Sequence, residues 1–151
     1  HGAVWTGSKM LIWGGVGSSG ATNSGGLYDP KTNAWTAMTT AGAPIGAYDH
    51  ATVWSGSRLL VWGGWIDDVP YTSGAGGVYD PVVDRWNTLT STGAPSTRTS
   101  IGYLWTGSAM IVWGGENDSR VASNDGAIYT PFNGGGTLPP TGQGDGSGVN
   151  P

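Results

Sequence analysis

Met10-Leu11-Ile12-Trp13-Gly14-Gly15 is one of three copies of a single string. The others are Leu59-Leu60-Val61-Trp62-Gly63-Gly64 and Met110-Ile111-Val112-Trp113-Gly114-Gly115, at steps of 49 and 51 residues. Self-similarity at a fixed period means one structural unit used three times. Each string follows a shorter apolar pair: Val4-Trp5, Val53-Trp54 or Leu104-Trp105. The connections are Thr6-Gly7-Ser8-Lys9, Ser55-Gly56-Ser57-Arg58 and Thr106-Gly107-Ser108-Ala109. Gly-Ser between two apolar runs signals a two-residue hairpin, because Gly supplies the positive φ that a primed turn needs.

That turn predicts a register. With Gly7-Ser8 as the loop, Trp5 faces Met10, Val4 faces Leu11 and Gly2 faces Trp13. The same rule sets Ala51 opposite Trp62 and Gly102 opposite Trp113. A small residue then stands across from a large indole in every unit, as cross-strand packing requires. The second strand is apolar at successive positions and is expected to be buried on both faces. A third strand ends in Tyr28-Asp29-Pro30, Tyr79-Asp80-Pro81 and Tyr129-Thr130-Pro131. Asp-Pro starts a turn, since Pro fixes φ and Asp bonds the backbone ahead of it. A fourth strand holds Trp35 and Trp86, each seven residues after its Tyr. In the third unit Gly136 stands where the Trp belongs, within Asn133-Gly134-Gly135-Gly136, so that strand is expected to be degraded or absent.

Composition narrows the class. Asp, Glu, Lys and Arg make up 11% of the chain, against roughly 25% in an ordinary soluble protein. The chain has 29 Gly, 9 Trp and 6 Tyr, which suits short strands and tight turns rather than helices or disorder. A net charge of −4 with no basic stripe argues against nucleic acid as a partner. No run approaches the ~20 apolar residues of a membrane helix, so no membrane partner is expected. There is no Cys, which excludes disulfides, thiolate catalysis and Cys-ligated metals. The chain starts at His1, with no signal peptide, and is expected to be a processed chain or a piece of a longer one. Many Ser, Thr, Gly and Trp with few Lys give an expectation of an extracellular or cell-surface location. Asn117-Asp118-Ser119 is a single glycosylation sequon.

Four short antiparallel strands in about fifty residues is the pattern of a propeller blade. The chain resembles the kelch repeat: an apolar strand ending in Gly-Gly, then a Tyr, then a Trp seven residues on. It is most similar to the bacterial extracellular variety, with His-x-x-x-Trp before the apolar strand and Tyr-Asp-Pro-x-x-x-x-Trp after it. The resemblance covers residues 1–131, with Ile101 where the other units have His1 and His50. It implies an all-β fold of three four-stranded antiparallel blades, the third incomplete. The expected units are 1–49, 50–100 and 101–138, followed by a Gly/Pro-rich tail at 139–151. The repeat residues of this scaffold are Trp13, Gly14, Gly15, Tyr28, Trp35, Trp62, Gly63, Gly64, Tyr79, Trp86, Trp113, Gly114, Gly115 and Tyr129. Kelch-like propellers usually have six or seven blades, so three imply a fragment, two chains closing one ring, or an open subunit that polymerises.

The scaffold spacings are constant, while the stretch from Gly-Gly to Tyr varies over 13, 15 and 14 residues. Insertions within a repeat map to loops on one face, often the binding face. The first loop, Val16 to Gly20, is bland. The second holds Trp65, Ile66, Asp67, Asp68 and Tyr71; the third holds Glu116, Asn117, Asp118 and Arg120. Strand alternation brings the connections between blades to the same face, adding Tyr48, Asp49 and Arg98. Aromatics beside carboxylates suit a glycan, and the same loops suit a protein ligand. The competing reading is that these are ordinary polar loops and Trp65 folds back onto its blade. The acidic residues match no calcium-loop spacing, so no metal and no cofactor are expected. His1 and His50 hold equivalent positions and are expected to be structural, through a side chain to backbone bond between blades. Some kelch-like propellers are copper oxidases or sugar-acid epimerases, but the oxidases use a Cys-linked Tyr. No Ser-His-Asp set or carboxylate pair stands out. The expected function is a non-enzymatic binding module, with self-assembly through open blade edges as the alternative and a fragment of a larger propeller enzyme as a weaker one.

Overall fold

The computed structural model describes residues 1–67 and 71–131. Blade 1 is the sheet β1 (Gly2–Trp5), β2 (Met10–Trp13), β5 (Gly25–Asp29) and β6 (Ala34–Ala37), in that spatial order. A two-stranded hairpin, β3 (Val16–Gly17) with β4 (Gly20–Ala21), rises from it. Blade 2 is β7 (Ala51–Trp54), β8 (Leu59–Trp62), β9 (Gly76–Asp80) and β10 (Arg85–Thr88). Blade 3 is β11 (Gly102–Trp105), β12 (Met110–Trp113) and β13 (Gly126–Tyr129). All pairings are antiparallel, and no helix occurs among the described residues. The expected degraded strand near Gly136 and the tail lie outside the described residues.

The register is the one the turn dictates. Gly2 pairs with Trp13, Ala51 with Trp62 and Gly102 with Trp113. The turn closes with Thr6 N donating to Lys9 O at 2.9 Å, and the equivalent bonds in blades 2 and 3 are also 2.9 Å. Gly7, Gly56 and Gly107 have φ of +99°, +93° and +100°. Positive φ at the first central residue alone is the type II′ hairpin, whose twist matches that of its strands.

Two apolar joints hold the blades together. Leu11, Trp13 and Met38 of blade 1 pack on Leu59, Val61, Tyr79 and Trp86 of blade 2. Val53, Leu60, Trp62 and Leu89 of blade 2 pack on Ile101, Met110 and Val112 of blade 3. The same repeat positions meet each time. The Trp of Trp-Gly-Gly looks toward the following blade, and the Tyr and Trp of strands three and four look back. Trp13 and Trp86 lie 5.5 Å apart between ring centroids, an edge-tilted pair. Trp86 Nε1 donates to Thr39 O of blade 1 at 3.0 Å. Asp84 Oδ1 accepts from Thr39 N at 2.9 Å and from the Tyr79 hydroxyl at 2.7 Å. Burial, and then this Asp84 bond, raise the Tyr79 phenol above its usual range.

Burial of the second strand on both faces holds only for β8, all four residues of which are buried. In β2 and β12 burial alternates, because blades 1 and 3 each have one neighbour instead of two. Trp13 and Trp62 are 2% and 3% exposed, whereas Trp113 is 53% exposed. Trp86 is buried, whereas its equivalent Trp35 is exposed.

His50 is buried and meets the preceding blade with its ring tilted 57° against that of Trp13, while Nδ1 turns to its own strand, toward Thr52 and Ala51 O. Its ring lies 5.0 Å from the Trp13 ring, and Nδ1 is 2.7 Å from the Thr52 hydroxyl. Nε2 is buried without a hydrogen-bond partner. Burial pushes the imidazole below its ordinary pKa. Above pH 6.5 the ring is neutral in both states. Below about 6.5 the unfolded chain takes up a proton that the folded chain refuses, so stability falls by up to about 1.4 kcal/mol per pH unit until the folded group also protonates. Urea unfolding between about pH 7.5 and about pH 5 is expected to show this loss. An equal slope in His50→Asn would reject His50 as its source.

Candidate binding face

The Gly-Gly pairs fix the base of this face. Gly14, Gly63 and Gly114 have φ near +70°, and Gly15, Gly64 and Gly115 have φ of +106°, +102° and +89°. The first N–H of each pair closes its own loop: Gly14 to Ser24 O, Gly63 to Ala75 O and Gly114 to Asp125 O, at 2.9, 3.0 and 2.9 Å. The second N–H crosses to the following blade, from Gly15 to Ala47 O at 2.8 Å and from Gly64 to Arg98 O at 2.9 Å. A Cβ on Gly64 would sit 2.7 Å from Tyr48 O and 2.8 Å from His50 Cβ. Gly64 is therefore required for close approach as well as for φ, whereas a Cβ on Gly114 would meet only Ser123 O at 3.7 Å.

From this base each loop leaves in a set direction. The carbonyls of Gly15, Gly64 and Gly115 accept from Thr22, Ser73 and Ser123, each at 2.8 Å. Loop one is the small β3–β4 hairpin, which its bland composition does not announce. In loop two Trp65 bridges to both Tyr48 and Thr72; in loop three Glu116 bridges to both Thr99 and Ala122. The loops are also latched across blades. Asp67 Oδ2 accepts from Ala21 N in loop one. Asp118 Oδ1 accepts from Thr72 N and from the Thr72 hydroxyl in loop two, both at 2.6 Å.

The candidate residues thus separate into two groups. Asp67 and Asp118 hold the neighbouring loop. Asn117 Oδ1 accepts from Ser119 N and Val121 N at 3.0 and 3.1 Å and shapes its own loop tip. Arg98 is buried and donates to Ser96 O, the Ser96 hydroxyl, Gly114 O and Asp125, with the Asp125 carboxylate at 2.7 Å. That bond to Arg98 holds the Asp125 carboxyl below its usual pKa. Asp49 is exposed at φ +53°, and its carbonyl accepts from Ser100 N at 3.1 Å. Tyr48 is half-buried and exchanges two backbone bonds with Trp65. Asp68 lies outside the described residues.

Trp65, Tyr71, Glu116 and Arg120 come together. The Trp65 and Tyr71 rings are stacked, 5.5 Å apart and 9° from parallel. The Arg120 guanidinium lies 5.3 Å from the Trp65 ring centroid, within cation–π range. Arg120 also faces Glu116 at 3.7 Å. Tyr71 and Arg120 are exposed. Trp65 is half-buried, with Tyr71 of its own loop and Arg120 of loop three against its ring. Among the described residues, no group of three or more His, Asp or Glu is placed to hold a metal ion. Sequence reasoning did not find Thr72 and Asp125, the partners of Asp118 and Arg98. The signal for the latches was present: Asp67 and Asp118 stand 51 residues apart, the step between the second and third strings.

A family model described as the KLHDC2/KLHL20/DRC7 Kelch-repeats domain matches residues 1–141. The chain belongs to the kelch-repeat family. Its domains are typically protein-binding modules and generally non-enzymatic. Among solved structures, YjhT is similar in fold, with a TM-score of 0.70 at 17% identity over 85% of this chain and 48% of that one. The chain therefore spans about half the length of YjhT. No curated protein matches the chain.

The two kinds of positive-φ glycine separate by experiment. Gly56 has open space where a Cβ would go, while Gly64 does not. Gly56→Ala is expected to cost about 1–2 kcal/mol from conformation alone. Gly64→Ala adds overlap with Tyr48 and His50 and is expected to cost about 3 kcal/mol or more. Urea midpoints of the two variants check this; equal losses would refute the close-approach argument.

Proposed function

We propose that the chain is a protein-binding module whose contact surface is the loop face centred on Trp65, Tyr71 and Arg120. The observation that carries this reading is the cluster itself. Trp, Tyr and Arg are the residue types that carry most energy in protein interfaces, when grouped and held by near-neutral surroundings. Here they stand on loops that Asp67 and Asp118 bond to the neighbouring loop, which lowers the ordering cost of binding at those two points. Kelch membership supports a protein partner over a small substrate. A glycan is the alternative ligand, with the exposed Tyr71 ring as its platform, since Trp65 already has Tyr71 and Arg120 against it. Asp67, Asp118 and Arg98 act in this reading by positioning the loops.

The test is selection of peptides from a displayed library against the 151-residue chain. Tyr71→Ala and Arg120→Ala are each expected to weaken the selected peptides about tenfold, the loss of about 1.4 kcal/mol typical of an interface anchor. Val82→Ser, in the Pro81 turn between strands three and four, is expected to leave them unchanged. Peptide affinities unaffected by Tyr71→Ala and Arg120→Ala would sink the placement. Tyr71-dependent binding on a glycan array, without peptide binding, would decide for the sugar.

A further inference from the structure

The end of the blades opposite the loop face holds a cleft to which those loops contribute nothing. It opens between the hairpin turns of blades 1 and 2, each of which has all four strands, and encloses about 410 Å³. Small-molecule sites have volumes of about 300–1,000 Å³, a mostly apolar lining and a few placed polar groups. Leu11 and Leu27 of blade 1 and Trp54 of blade 2 supply the apolar lining here. Lys9 of blade 1 and Arg58 of blade 2 bring one cation from each side.

Both cations are anchored without being used up. Lys9 Nζ lies 3.5 Å from Asp29. Arg58 places Nη2 2.8 Å from Asp80 and donates Nη1 to Ser57 O at 2.9 Å. An ammonium carries three N–H donors and a guanidinium five, so each keeps donors beyond these bonds. The two side chains are 42% and 35% exposed, which leaves those donors within reach of a ligand.

The repeat makes this joint different from the next. In blade 3, Ala109 holds the position of Lys9 and Arg58, and Thr130 that of Asp29 and Asp80. Both partners of the ion pair are lost together there, so two cations meet between blades 1 and 2 and not between blades 2 and 3. The wider charge pattern agrees. Lys9, Lys31, Arg58 and Arg85, four of the six Lys and Arg, stand at this end of the blades with Asp29, Asp80 and Asp84. The loop end has Arg98 and Arg120 among Asp49, Asp67, Glu116, Asp118 and Asp125. In a chain of net charge −4, an anion is therefore drawn to the turn end.

We propose that this cleft binds a small organic acid, its apolar body on Leu11, Leu27 and Trp54 and its carboxylate received by Lys9 and Arg58. Charge-assisted hydrogen bonds hold the head group. The body replaces water over the two leucines and the indole. Asp80 competes with the ligand for Arg58, and Asp29 for Lys9, so removing either carboxylate strengthens the site.

Cinnamate and its neutral amide, cinnamamide, are the probes, titrated into isotope-labelled chain while the Trp indole N–H signals are followed by NMR. Trp54→Phe assigns the Trp54 signal by its loss. Cinnamate is expected to move that signal, and cinnamamide to bind about tenfold more weakly, having lost the charge assistance. Arg58→Gln is expected to weaken cinnamate about tenfold, whereas Asp80→Asn is expected to tighten it. Both variants break the same ion pair, so a purely structural role for that pair would move both affinities in the same direction. A shared direction overturns the role given to Arg58. Equal binding of cinnamate and cinnamamide overturns an acid as the ligand. A Trp54 signal that neither cinnamate nor hexanoate moves overturns the site.

Discussion

The joint between blades is the constraint on which the rest depends. A four-stranded sheet a few residues wide cannot bury its own faces, and it becomes stable only when another sheet covers each side. Between blades 1 and 2 the cover is an indole set against a Tyr-Trp pair, Trp13 against Tyr79 and Trp86; between blades 2 and 3 Trp62 packs with Met110, Val112 and Tyr129. Trp burial of about 150–250 Å² per side chain makes these contacts the largest apolar terms in a chain with few other large side chains. The Gly-Gly turn exists to let the joint close. A Cβ at Gly63 would sit 2.7 Å from Ile101 Cδ1 and 3.0 Å from Arg98 O, beside the point where Gly64 N must reach that carbonyl.

Much of this was legible because local rules and tertiary packing agree. A Gly-Ser turn sets a register by counting, and the count places Gly2, Ala51 and Gly102 opposite the three indoles. Equal spacing between Tyr and Trp places both on one face of adjacent strands. The burial of a given residue was not legible. Trp62 and Trp113 sit in the same string with the same neighbours, yet one is buried and the other exposed. The difference belongs to the blade that faces them, and no local pattern carries that information.

The loop face shows the same division. Its location could be read from unequal loop lengths, but the roles of its residues could not. A carboxylate in a polar loop has the same appearance whether it meets solvent or a backbone N–H across a joint. Asp67 and Asp118 do the second, on partners 46 residues away in sequence. Asn33 and Asp84 are a parallel case in the Pro turns. Both adopt φ near +50° and accept from a Tyr hydroxyl five residues before them. Asn and Asp tolerate that backbone and bond locally, so their turn chemistry hid a second role toward the Tyr.

The joints and the loop face are physically one system. The loops that carry Trp65 and Arg120 are tied to the preceding blade by Asp67 and Asp118, and Arg98 ties the chain entering blade 3 to the end of its own loop through Asp125. Loosening a joint would therefore release the loops it carries, and a partner that grips the Trp65, Tyr71 and Arg120 cluster bears on the joint between blades 2 and 3. Binding energy at the face and packing energy in the core are coupled through those few hydrogen bonds, and any ligand of this face should raise the stability of the array as it binds.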